Sequence, residues 1–90
     1  MIQDILNEQS ATLAKKMANL VRDVAAARVG IKSSDEAAAA RSKVMLNDYC
    51  GPQARALLEV LKRLDASLNT HEMPPFESEH LDEVRDAANL

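Results

Sequence analysis

The first third of the chain carries apolar residues at spacings of three and four, which predicts one buried face of a long α-helix. The stripe consists of Leu6, Leu13, Met17, Leu20, Val24 and Ala27, and only Ser10 interrupts it. A second line of small or apolar residues runs beside it: Ala11, Ala14, Ala18, Val21 and Ala25. The two lines together cover more of the helix surface than contact with one neighbouring helix would bury. We therefore expect the helix from Ile2 to Val29 to contact at least two other helices.

Turn and cap residues mark where the other helices begin and end. Gly30 suits the left-handed position that closes a helix, and Ser33 with Glu36 matches a capping box. A second helix is therefore expected from about Ser34 to Tyr49. The tripeptide 50–52, Cys-Gly-Pro, predicts a break, with Pro52 in the first turn of a third helix that ends near Leu68.

The third predicted helix has a leucine-rich face that matches the stripe of the first. Its members are Ala54, Leu57, Leu61, Leu64 and Leu68. Residues 69–76 form a linker in which Pro74 and Pro75 favour an extended path. A last helix, about Ser78 to Asn89, is too short to be stable alone and must dock on the bundle or on a partner.

These elements predict an all-α fold, a small antiparallel bundle of three main helices plus a short C-terminal helix. Ninety residues suffice for one domain with a modest core. We assign residues 1–69 to the bundle core and residues 70–90 to the linker and the acidic terminal helix. Tight connections between the first three helices predict antiparallel neighbours.

The length of the first helix predicts self-association or partner binding. The later predicted helices are shorter by ten or more residues, which would leave about 15 Å of the first helix uncovered. A second copy of the chain or a larger protein would cover that surface. The expected interface is Leu6, Leu13, Met17, Leu20 and Val24, with Met73 and Phe76 as secondary anchors.

Composition and charge narrow the function classes. Aromatic residues make up only 2% of the chain, which disfavours single-strand nucleic-acid binding by base stacking. The formal net charge is −3, and residues 70–90 carry six acidic side chains against one arginine, Arg85. The C-terminal segment is thus a separate acidic unit.

No motif predicts catalysis, a metal or a cofactor. His71, Glu72 and His80 are the only metal-like group, and their spacing favours an exposed polar linker instead. Cys50 lacks a neighbour in sequence that would activate it as a nucleophile, so we interpret it as structural. One cysteine, no evident signal peptide and no long apolar run predict a cytoplasmic protein that does not enter membranes.

The sequence therefore favours a small non-catalytic binding protein, an adaptor, chaperone-like protein or inhibitor of a larger partner, that is also a homodimer. The alternative is a DNA-binding regulator that uses segment 34–68 as a helix-turn-helix. Its nucleic-acid contacts would be Arg41, Lys43, Gln53, Arg55, Lys62 and Arg63. The acidic overall charge argues against this alternative, because a DNA-binding surface is normally basic.

Overall fold

Helical backbone accounts for most of the chain, as the sequence pattern predicts. The computed structural model describes all 90 residues and contains α1 (Ile2–Ile31), α2 (Glu36–Val44), a π-helical segment (Met45–Cys50), α3 (Gly51–Thr70) and α4 (Leu81–Ala88). The predicted all-α bundle of three helices and a short C-terminal helix is confirmed. The expected antiparallel packing of the second and third helices is wrong, because α2 and α3 run in line.

The predicted break at residues 50–52 is wrong, because the backbone stays helical through it. Cys50 has φ −64° and ψ −41°, and Gly51 has φ −60° and ψ −56°. The Gly51 N–H donates to the carbonyl of Leu46, five residues back, which makes a wider π-helical turn. Pro52 follows this turn, and a proline has no N–H with which to continue the regular α-helical ladder. Residues 36–70 thus form one uninterrupted structure, here called the second arm.

The second arm lies antiparallel to α1 and covers it along its length. α1 contacts α2, the π-helical segment and α3 in turn. The molecule is accordingly a rod of 52 × 17 × 17 Å. The stretch of α1 that we expected to lie beyond the shorter helices does not exist, because the arm that faces α1 is itself longer than α1.

The core is the seam between the two arms. α1 contributes its predicted stripe, of which Leu6, Leu13, Met17, Leu20 and Ala27 are buried. The second arm contributes Leu46, Cys50, Ala54, Leu57, Leu61, Leu64 and Leu68. Leu46, Cys50 and Ala54 follow one another at two successive spacings of four, a pattern that drifts around a regular α-helix. The wider π-helical turn lies at these residues and keeps all three on the seam.

Gly30 does not close α1 in a left-handed conformation. No glycine has positive φ, and α1 continues to Ile31. Instead Gly30 lets α1 and α2 approach closely: a Cβ built on it would lie 2.9 Å from Ser42 Cβ and would also meet Ser42 Oγ. The absence of a side chain, and not a turn, is what this position requires.

The start of α2 also differs from the predicted capping box. Asp35 is the N-cap residue, and its Oδ1 accepts a hydrogen bond of 3.0 Å from the Ala37 N–H. Ser33 instead lies in the connection before the N-cap, where its Oγ accepts a hydrogen bond of 3.1 Å from the Asp35 N–H. An aspartate at this position also suits the positive end of the helix dipole.

The end of α3 turns the chain back along the bundle. Glu72 has φ +57°, and the Met73 N–H donates to the Leu68 carbonyl at 2.9 Å. These are the features of a Schellman motif, here with glutamate where glycine is usual. The linker then packs against the bundle, where the Phe76 N–H donates to Asp65 Oδ1 at 2.9 Å and the Phe76 ring is buried.

α4 docks on its own bundle. Val84 and Ala87 are buried, and the helix contacts α3 and, to a smaller extent, α1. Arg55 of α3 donates from Nη1 to the backbone oxygens of Ala88 at 3.1 Å and Leu90 at 3.4 Å. The bond to Ala88 satisfies a carbonyl group that the last turn of α4 leaves unpaired.

The two glycines should respond oppositely to alanine. Gly30→Ala should lower the free energy of unfolding by about 1–3 kcal/mol, because the new methyl group meets Ser42. Gly51→Ala should raise it by about 0.5–1 kcal/mol, because Gly51 is helical and its added Cβ makes only ordinary contacts, the nearest at 3.4 Å. Urea unfolding followed by circular dichroism measures both. Equal effects at the two sites would contradict the close approach at Gly30.

Glu72→Gly should stabilise the protein by up to about 1 kcal/mol, because glycine adopts the left-handed conformation without steric cost. The greater conformational entropy of glycine in the unfolded chain offsets only part of this gain. The measurement is again urea unfolding. Lys62→Gly is the control, since Lys62 is exposed on α3 with helical neighbours, and it should lose about 1 kcal/mol. Loss of stability in both variants would show that residue 72 is not left-handed in solution.

Candidate functional site

The hairpin has one covered flank and one open flank. The linker and α4 occupy the flank that includes Ala11 and Ala14 of α1. On the other side of the buried stripe, three cavities of about 540, 190 and 480 Å³ follow one another between α1 and the second arm. The first two share Lys16, and the last two share Asp23 and Tyr49. Together they form one continuous depression, here called the open groove.

Helical periodicity explains which residues line the open groove. On α1 they include Ile5, Thr12, Lys16, Asn19, Asp23 and Ala26. On the second arm they include Met45, Tyr49, Gln53, Val60 and Arg63. The α1 residues after Ile5 succeed one another at spacings of four and three, so they share one face of the helix beside the buried stripe. The buried side chains of Leu13 and Leu57 form part of the floor.

Four large apolar side chains stand half exposed in the open groove. Ile5, Met45, Tyr49 and Val60 each keep between 46% and 50% of their surface in contact with solvent. Full burial of such a side chain is worth about 1.5–3 kcal/mol, so each of them forgoes part of that stabilisation in the free protein. Met45 and Tyr49 belong to the π-helical segment, and segments of this type are frequent at functional sites.

The charged side chains of the open groove have no ion-pair partner within the chain. They are Glu8, Lys16, Asp23, Arg41 and Arg63. The ion pairs of the protein lie elsewhere, at the N-terminus and within α4, and the His80 ring lies near the carboxylates of Glu79 and Glu83. Both signs are present along the groove, so a partner that presents complementary charges would form ion pairs without breaking existing ones.

The structure places most of the predicted interface inside the chain. Leu6, Leu13, Met17, Leu20 and Phe76 are buried, and Val24 and Met73 are partly buried against the same core. The second arm, the linker and α4 occupy the surfaces that we expected a partner to cover. The open groove flanks the predicted stripe, and its half-exposed apolar residues Ile5, Met45, Tyr49 and Val60 are not among the predicted interface residues.

The residues of the DNA-binding alternative do not form a helix-turn-helix. Residues 34–68 contain no turn after Val44, so their two helical parts run in line, whereas the motif requires helices that cross. Arg41, Gln53 and Arg63 line the open groove. Arg55 holds the end of α4, and Lys43 and Lys62 are exposed.

The thiol of Cys50 lies in the core and is poorly suited to nucleophilic chemistry. Its side chain is fully buried. Burial raises the pKa of the Cys50 thiol, and the nearby Asp23 carboxylate raises it further. The thiolate, which is the reactive form, is thus disfavoured in the folded state.

The candidate metal ligands are dispersed. His71 is exposed at the end of α3, whereas His80 precedes α4 with its Nε2 3.5 Å from Glu79 and its Nδ1 3.9 Å from Glu83. No group of three histidine, cysteine, aspartate or glutamate side chains has the geometry to hold a metal ion. None of the helices combines the length and the apolar composition that crossing a membrane requires.

The fold and the groove define an all-α protein built as a helical hairpin, with a fourth helix on one flank and an open groove on the other. No protein-family model, curated protein or solved structure matches this chain.

The buried Cys50 should react with thiol reagents only when the protein opens. Labelling should be slow in native buffer and should accelerate with urea across the unfolding transition, since access and ionisation both require opening. Because the folded-state pKa is raised, stability should decline as the pH rises above the ordinary cysteine value of about 8.5. Cys50→Ala should lack that component of the alkaline decline. Rapid native labelling at neutral pH would contradict the buried position.

Proposed function

We propose that this protein is a non-catalytic interaction module that acts by stoichiometric binding to another protein. The observation that carries the proposal is the open groove with its four half-exposed apolar side chains. Surfaces of this kind, which combine exposed apolar side chains with charged residues, are typical of protein interaction sites.

The shape of the groove favours a helix as its ligand. Two antiparallel helices form its walls, and a third amphipathic helix can pack its side chains between their rows. A groove that follows a molecule 52 Å long has room for several turns of such a helix. The apolar face of the ligand would cover Ile5, Val60, Met45 and Tyr49, and its charged edges would select the orientation.

Binding of this kind suits an adaptor, a chaperone-like protein or an inhibitor, because each acts by occupying a surface of its partner. The partner is a larger protein, a second copy of the chain, or both. The acidic C-terminal segment lies on the opposite flank and stays available to a basic surface. We place the protein in the cytoplasm, since a free thiol such as Cys50 suits a reducing compartment.

Val60→Glu should abolish partner binding without unfolding the chain. Val60 is already half exposed, so a carboxylate there remains hydrated in the free protein but would be buried in a complex. The immobilised chain would be incubated with a lysate of its native host. The measurement is the ratio of captured protein to immobilised chain, with circular dichroism to verify folding.

Val29→Glu is the matched control, because Val29 is an equally apolar residue, 74% exposed, outside the open groove. Capture in a stoichiometric ratio by the unmodified chain and by Val29→Glu, with loss in Val60→Glu, supports the proposal. Equal capture by all three proteins, or none by any, contradicts it.

A further inference from the structure

We propose that the open groove takes a second copy of this chain, antiparallel about a two-fold axis level with Asn19 and Gln53. The inference rests on the proposed function, because it assigns an occupant to the same groove. In this arrangement α1 lies over α1 of the second copy, and the second arms face one another likewise. Two-fold dimers of this type are the commonest protein oligomers.

The level of the axis follows from contacts across the hairpin. Asn19 and Gln53 line the same small cavity, between Lys16 on one side and Asp23 and Tyr49 on the other. This cavity is the middle of the three that form the open groove. A two-fold rotation about an axis at this level therefore places each end of the groove opposite the other end of the groove in the second copy.

Charge complementarity favours this axis. Lys16 lies three residues before Asn19, and Asp23 lies four residues after it. Reversal about Asn19 therefore brings Lys16 of one copy to within one residue's rise, about 1.5 Å along the axis, of Asp23 of the other. Both residues line the groove face, so their side chains can pair, and symmetry repeats the pair. Neither residue has an ion-pair partner in its own chain. Both side chains are free to pair between copies.

The apolar residues match about the same level. Val60 lies seven residues after Gln53, and Met45 lies eight residues before it. Each half-exposed Val60 would thus meet Met45 of the second copy, again twice. The two observations are independent, because the charges lie on α1 and the apolar pair lies on the second arm.

Area and net charge are both compatible with a dimer. A face of 52 by 17 Å is large enough for the roughly 800 Å² per partner of a standard interface. The acidic α4 and linker lie on the opposite flank, so the charges that make the chain acidic stay away from the interface. Like-charge repulsion between copies is thereby reduced.

The test is complementation between two charge variants, measured by sedimentation equilibrium over a range of concentrations. The unmodified chain, of 9.8 kDa, should show twice that mass. Lys16→Glu alone and Asp23→Lys alone should each dissociate about tenfold or more readily, because each replaces two attractive pairs by two repulsive ones. An equimolar mixture of the two variants should regain the dimer, because every facing pair is then of opposite charge.

Lys62→Glu is the control, since it makes the same charge change at an exposed residue of α3 that does not line the groove. It should leave the dimer intact. A chain that remains at 9.8 kDa at every concentration overturns the inference, as does a dimer that the single variants leave unchanged or the mixture fails to restore. None of these results affects capture of a different protein through Val60, so the failure of this inference is distinguishable from failure of the proposed function.

Discussion

The helical backbone of the second arm runs without interruption through residues 45–51, and the other features of the structure depend on that continuity. Because the arm does not turn there, a single antiparallel partner covers the whole of α1. Ending two helices at this point would have left several backbone carbonyl and amide groups to be satisfied by other means. The π-helical turn avoids that cost and keeps Leu46, Cys50 and Ala54 on the seam.

The two halves of the hairpin are built differently on this common arm. In one half Gly30 and Ser42 bring α1 and α2 close together, with alanines around them. In the other half leucines from both arms fill the seam, and the linker and α4 add a further layer. The added layer covers only one flank, which is why the groove on the other flank remains open.

Much of the fold could be predicted from periodicity, because the buried stripes of α1 and α3 are long and regular. The prediction of a break at residues 50–52 was wrong because glycine followed by proline usually ends a helix. The local sequence pattern does not reveal that a π-helical turn accommodates the glycine and the proline. The spacing of Leu46, Cys50 and Ala54 was the available sign of continuity. The groove residues could not be predicted in the same way. Ile5 and Val60 lie beside the buried stripes, and each stripe has residues on both of its sides. Only the docked position of α4 shows which side stays open.

The location of Tyr49 has a practical consequence. It is the only tyrosine of a chain that contains no tryptophan, and it lies half exposed where two of the groove cavities meet. Nearly all of the intrinsic ultraviolet fluorescence of the protein therefore originates inside the open groove. The molecule carries its own optical reporter of whatever occupies that surface, without any label.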